Sequence, residues 1–198
     1  MIKVLFLAAN PTQETRLNLE KEHRTILEKL RASDFRDSVT LESRWALRPD
    51  DLLQSFQEVK PHVVHFSGHG SQDDEIILET DGGGAKPVSK GALTALFTTL
   101  RDNIRVVVLN ACFSRGQAEA LTQVVDCVVG MRQEVSDDAA IVFAASFYRG
   151  IGFGRSVQNA FEQGRTALML EGIPEEWTPE LLTRQGVDAS EVVLVNPR

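Results

Sequence analysis

Apolar runs of strand length recur at residues 2–9, 63–66, 106–109 and 127–130. They lack the polar alternation of a half-exposed strand, and a continuous apolar run of this length suits a parallel strand buried on both faces. Residues 39–45 alternate more, which places that strand nearer a sheet edge, and residues 192–195 predict a last strand close to the C-terminus. Helical periodicity fills the intervals. Across residues 12–30, Leu17, Ile26, Leu27 and Leu30 fall on or near one face among many charges. Residues 49–59 open on a proline at the first helical turn, and Asp50 and Asp51 favour the positive end of that helix dipole. Ser89 is placed to cap a helix over 90–100, Ser114 or Gly116 to open one through Val124, and Ser136 to cap one over 137–148. A further helix over 155–170 ends near Gly172 and Pro174.

Strands alternating with helices at this spacing predict an α/β sandwich with a mainly parallel sheet of about six strands. One segment departs from the alternation. Residues 75–79 and 86–88, joined by Asp81-Gly82-Gly83-Gly84, read as a small hairpin inserted after the third strand. No repeat, low-complexity tract or linker divides residues 1–198, so one domain is expected. Residues 171–190 are the least regular stretch.

Composition narrows the function classes. With 42% hydrophobic and 25% charged residues, the 198-residue chain has the make-up of a globular protein with a real core. A net charge of −7, with 21 basic residues scattered along the chain, argues against direct nucleic-acid binding, which needs clustered Lys and Arg. Two cysteines, Cys112 and Cys127, are too few for a disulfide scaffold and fit a reducing cytosol. The apolar start resembles a signal peptide, but it is short and runs into Asn10-Pro11 and a charged segment, so a buried first strand is expected. No stretch approaches the roughly 20 apolar residues of a membrane helix. The expectation is a cytoplasmic protein that engages no membrane.

The candidate chemistry lies at two strand ends. Ligands of open α/β sheets bind beyond the carboxyl ends of the strands. The third predicted strand runs into Ser67-Gly68-His69-Gly70, and the fourth into Asn110-Ala111-Cys112-Phe113-Ser114. If these strands are neighbours, His69 and Cys112 share one rim of the sheet. A thiol is mostly protonated at neutral pH, and an adjacent imidazole raises its thiolate fraction and later gives a proton to the leaving amine. Cys112 is therefore the candidate nucleophile and His69 the candidate base. The N–H groups of Gly70 and Cys112 are candidates for an oxyanion hole. A backbone carbonyl could orient the histidine without leaving any trace in the sequence. Taken singly, a cysteine after an apolar strand is usually a small buried hydrophobe, and a histidine in a glycine-rich turn a solvated loop residue. His65 lies within an apolar run and reads as a packed core histidine or a support to the site. His23 and His62 read as structural or solvated, and Cys127 as inert core. No pair has the spacing of a zinc site, so no metal is expected.

His65-Phe66-Ser67-Gly68-His69-Gly70 followed by Leu109-Asn110-Ala111-Cys112-Phe113-Ser114 resembles the CHAT domain, a bacterial branch of the caspase-like peptidase clan. The 43 positions from His69 to Cys112 are close to the caspase spacing of about 50. Weaker matches span the chain: Asn10-Pro11, Gly130-Met131 with Ser136-Asp137-Asp138, Phe147-Tyr148, Gly154-Arg155-Ser156-Val157 and Val195-Asn196-Pro197. The resemblance implies a three-layer α/β/α caspase-like sandwich and a cysteine endopeptidase working through an acyl-thioester without a cofactor. It implies His69 as base and Cys112 as nucleophile. Asn-Ala-Cys-Phe-Ser departs from the Gln-Ala-Cys-Arg-Gly type of caspases proper, so selectivity for aspartate is not implied. Separase-like members carry an acidic residue after the fifth strand that selects a basic side chain, and Asp137 and Asp138 fall there. The same two acids would equally serve a helix dipole.

Relatives of this kind are commonly joined to sensor or adaptor modules in bacterial defence and signalling. This chain has no evident room for one, so the expected partners are a specific protein substrate and a regulatory or sensor protein. Two other classes stay open. One is a protease-shaped interaction module that keeps the fold for binding. The other is a TIR-like nucleotide-handling domain, indicated only by the strand–Asn-Pro–charged-helix opening and lacking an assignable catalytic glutamate.

Overall fold

The computed structural model describes residues 1–195. In chain order the strands are β1 (Ile2–Ala8), β2 (Val39–Arg44), β3 (Val63–Ser67), β4 (His69–Gly70), β5 (Glu75–Glu79), β6 (Ala85–Ser89), β7 (Val106–Asn110), β8 (Cys127–Met131) and β9 (Pro179–Thr183). The helices are α1 (Leu19–Arg31), α2 (Pro49–Val59), α3 (Lys90–Leu100), α4 (Arg115–Leu121), α5 (Asp137–Gly152) and α6 (Val157–Leu170). Six strands form the main sheet in the order β2-β1-β3-β7-β8-β9. The first five run parallel, and β9 closes one edge antiparallel to β8.

Successive side chains of a strand point to opposite faces, so an unbroken apolar run feeds two cores at once. Val4, Phe6, Val63, Val106, Val108 and Val129 pack under α1, α5 and α6. Leu5, Leu7, Val64, Phe66, Val107 and Leu109 pack under α2, α3 and α4 on the other face. The result is a sheet between two helical layers. The more polar β2 takes the outer edge, as its alternation predicts.

Three elements differ from the sequence reading. The first helix begins at Leu19 rather than Thr12, because the Asn18 side chain caps it by accepting from the Lys21 N–H, while residues 10–17 form a loop. The irregular stretch 171–190 contributes β9, whose Pro179 and Glu180 carry no strand signal but suit the start of an edge strand. Residues 192–195 form no strand: Val193 makes one isolated bridge to Ser156, and Val192, Leu194 and Val195 are apolar because they pack into the α5–α6 core. Asn196 and Pro197, part of the terminal resemblance, lie outside the described residues. The inserted hairpin is present as β5 and β6, and β4 adds to it as a third strand.

The α5–α6 contact is close-packed at two glycines. A Cβ at Gly150 would lie 2.9 Å from the Ala160 backbone, and one at Gly164 would lie 2.6 Å from the Phe143 ring. A mid-helix Gly→Ala change ordinarily stabilises by up to about 1 kcal/mol. Here the sign reverses: Gly164→Ala is expected to destabilise by about 1–3 kcal/mol through overpacking. Chemical denaturation decides it, and a higher midpoint for the variant would refute the packing argument.

Candidate active site

Register brings the two strand-end motifs together. β3 and β7 are hydrogen-bonded neighbours with Ser67 opposite Asn110, and His69 and Cys112 each follow two residues later. Beyond the pairing, the Gly68 N–H donates to the Asn110 carbonyl at 3.4 Å. The chain then turns into β4, which lies so close over the cysteine loop that a Cβ at Gly70 would sit 2.1 Å from the Cys112 carbonyl oxygen. Only glycine fits there.

The imidazole of His69 is half-exposed, and its Nε2 lies 2.8 Å from the Thr15 carbonyl oxygen. A carbonyl only accepts, so Nε2 carries the proton and Nδ1 is left with a free lone pair. The Cys112 thiol is also partly exposed. Its Sγ accepts from the Val135 N–H at 3.5 Å and faces the Val135 carbonyl at 3.7 Å. One residue thus offers an acceptor to the thiol and a donor to the thiolate. His69 and Cys112 share the rim without a hydrogen bond to each other; the imidazole is turned to Thr15 and the thiol to Val135.

The turn after the cysteine is strained and pinned. Phe113 has φ +55°, a left-handed conformation costly for an aromatic residue, and its N–H donates to the Gln133 carbonyl at 3.2 Å. The Ser114 hydroxyl donates to the Leu109 carbonyl and accepts from the Met131 N–H, joining the turn to β7 and β8.

Donors are available for a developing oxyanion. In the antiparallel pairing of β4 with β5, Ser71 donates to Glu75, so the adjacent Gly70–Ile76 pair is the type that exchanges no bonds. The Gly70 N–H therefore points away from β5. The Cys112 N–H makes no hydrogen bond among the described residues.

Behind the strand ends lies a buried polar cluster. Glu22, only 1% exposed, accepts from His65 Nε2 at 2.7 Å, from Asn110 Nδ2 at 2.8 Å and from the Ser67 hydroxyl. His65 Nδ1 meets the Tyr148 hydroxyl at 3.0 Å, and its ring stacks on Phe6 at 5.1 Å. Burial, with the Glu22 charge behind it, pushes the Tyr148 phenol well above its ordinary value, so the phenol keeps its proton and donates to Nδ1. His65 Nε2–H is then the donor to Glu22. His65 is a supporting core residue on the face opposite the solvent.

The two acids at the start of α5 part company. Asp137 is half-buried; its Oδ2 accepts from the Asn18 N–H at 3.0 Å, two residues beyond Val135 on the same rim. Asp138 instead lines a separate cavity between α1, α5 and α6 with Lys21, Thr25 and Lys29. Sequence reasoning missed Thr15, Val135 and Glu22. The first two act through main-chain atoms and leave no signal. Glu22 had one: it falls in the Leu19, Ile26, Leu30 spacing, a charge on the apolar face of a helix.

Comparison with known proteins bears on the family and the fold. A family model described as CHAT domain matches residues 4–178. The chain is 25% identical over 181 residues to a Roc-COR-CHAT protease from an unknown prokaryotic organism, covering 88% of this chain and 17% of that protein. It is 22% identical over 147 residues to a protein named "Probable protease" from Gillisia limnaea, covering 73% of this chain and 26% of that one. The chain thus spans about a quarter or less of these relatives. Among solved structures, a secreted C11 cysteine protease from Bacteroides thetaiotaomicron superposes with a TM-score of 0.66 at 10% identity, over 91% of this chain and 66% of that one. The Arg-specific cysteine proteinase gingipain R gives 0.66 at 12% identity, over 96% and 47%. The shared architecture is the caspase-like α/β sandwich.

The two thiols should behave differently. Burial, then the neighbouring Asp126 charge, pushes the Cys127 thiol up to about 11. At pH 8 such a thiol is ionised to roughly one part in a thousand. Iodoacetamide is expected to modify Cys112 alone in the native protein and both cysteines in denaturant, as read by intact mass. Rapid native modification of Cys127 would contradict the described core.

Proposed function

Because this chain belongs to the CHAT domain family, we propose that it is a cysteine endopeptidase in which Cys112 is the nucleophile and His69 the general base. One observation carries the reading: His69 and Cys112 leave adjacent, paired strands at the same offset, with the imidazole held by a carbonyl that fixes its tautomer. The Cys112 proton passes to His69 Nδ1, and the thiolate attacks the scissile carbonyl. The charge on oxygen is met by the Gly70 and Cys112 N–H groups. Collapse of the tetrahedral species breaks the C–N bond while the imidazolium gives its proton to the departing amine. A water activated by the same histidine then releases the acyl group from sulfur.

Asp137 is the proposed selector of a basic side chain. Its Oδ2 is engaged by Asn18, and Oδ1 remains to meet a cation at the rim. Asp138 has no part in this pocket, since it lines the separate cavity. The substrate in this reading is a specific protein. Control by a regulatory partner or attached module is supported by the small share of the relatives that the chain spans. The cytoplasmic defence or signalling setting rests on the family resemblance alone.

A pooled fluorogenic peptide library tests the reaction. Wild type is expected to turn over peptides with Arg or Lys before the cleaved bond, and Cys112→Ala to fall to background. Equal turnover by both proteins, or none by wild type on any peptide or protein, would leave a protease-shaped binding module. Asp137→Asn is expected to lower kcat/KM for Arg peptides about tenfold, the lower range for losing a hydrogen bond between charged groups. Unchanged selectivity would remove Asp137 from the pocket.

A further inference from the structure

The carbonyl that orients His69 sits in an unexpected place. Residues 12–16 are all exposed, so no buried side chain holds that part of the chain, yet Thr15 meets His69 at 2.8 Å. An exposed loop without packing samples many positions. Its precision has to come from its anchors.

The principal anchor is Asn10. Its Nδ2 donates to the Leu17 carbonyl at 2.9 Å and its Oδ1 accepts from the Leu17 N–H at 3.1 Å. The side-chain amide thus pairs with a single residue through two bonds of opposite sense, which fixes orientation as well as distance, much as a β-bridge does. The asparagine amide carries a donor and an acceptor side by side on one planar group; ionised aspartate keeps the acceptor alone and alanine neither.

Asn10 is itself held. Its N–H donates to Glu79 Oε2 at 2.9 Å, and Glu79, on β5, is 8% exposed. The preceding Ala9 N–H donates to the Ser67 carbonyl, and the following Pro11 restricts Asn10 to extended backbone. The far side of the loop is tied to the hairpin tip: the Thr12 N–H donates to the Gly83 carbonyl at 3.0 Å, and Gln13 Oε1 accepts from the Ala85 N–H at 2.7 Å.

We propose that Asn10 is a positioning residue for the reaction, acting on His69 through the Thr15 carbonyl of the loop that it closes. The proposal rests on the reading of His69 and Cys112 given above. With Thr15 in place, the Nε2–H tautomer is fixed and Nδ1 is free to take the Cys112 proton. When the ring becomes charged, its bond to Thr15 strengthens, which favours the imidazolium–thiolate pair. Without the clamp, the loop and its carbonyl drift, and the ring loses both orientation and partner.

Alkylation of Cys112 by iodoacetamide at pH 7 reads this directly and needs no substrate or activator. The whole chain is used as wild type, Asn10→Ala, Asn10→Asp, His69→Ala and the Asn10→Ala/His69→Ala double variant, each checked for folding by thermal melt. Asn10→Ala is expected to react about tenfold more slowly, the lower range for losing one hydrogen bond to a charged group. Asn10→Asp, which keeps the bond to the Leu17 N–H, should fall between, and it keeps the test alive if the alanine variant fails to fold. In the His69→Ala background, Asn10→Ala should add no more than about a twofold change, because its effect passes through the ring. Wild-type reactivity in both folded Asn10 variants with slow His69→Ala would overturn the proposal and leave the catalytic pair intact. An equal slowing in both backgrounds would overturn it too, marking general loosening. If His69→Ala reacted as fast as wild type, the pair itself would be wrong and the positioning role would fall with it.

Discussion

The carboxylate of Glu22 is the constraint on which the rest of the site is built. It lies on the apolar face of α1, against the carboxyl ends of the central strands, where water cannot reach it. Burying an ionised carboxylate costs several kcal/mol unless donors replace the lost hydration. Three donors do so, from His65, Ser67 and Asn110. Two of them are the last residues of β3 and β7, so the requirement to satisfy one charge also sets the height at which both strands release their loops. The His65 ring then passes the network on to Tyr148 of α5. Two adjacent helices of one layer and two strands of the sheet are thereby joined through five side chains whose identities depend on one another.

That arrangement explains which parts of the molecule were legible in the sequence. Apolar runs without alternation pointed to buried parallel strands, since each must feed two cores, and the Ser89 and Ser136 caps marked helix starts that the structure keeps. Residues 12–18 misled because their charges fit a helical face, whereas the Asn10 clamp on Leu17 holds them as a loop. Residues 192–195 misled for the opposite reason: burial against helices makes a segment apolar whether or not it joins a ladder. β9 was hidden because an edge strand that opens on Pro179-Glu180 has neither alternation nor an apolar run.

Legibility at the site divides along a chemical line. His69 and Cys112 stood out because their side chains are unusual at strand ends. The groups that surround them, the Thr15 carbonyl and the Val135 peptide, are main-chain atoms common to every residue, and only the fold says which ones are used. Asp137 and Asp138 could not be told apart in sequence; a 100° step along α5 sends one to the rim by Asn18 and the other to the cavity with Lys21 and Lys29.

The contacts that assemble the rim link distant parts of the chain: Thr15 to His69 across 54 positions, Cys112 to Val135 across 23, and Glu22 to Asn110 across 88. No short stretch of chain contains the whole set, which runs from Thr15 to Val135. During synthesis the histidine and the cysteine both emerge before the peptide that receives the thiol, and the set closes only once the sheet has formed through β8. A nascent, truncated or locally unfolded chain therefore carries these side chains but not their arrangement, and the fold itself acts as the safety catch.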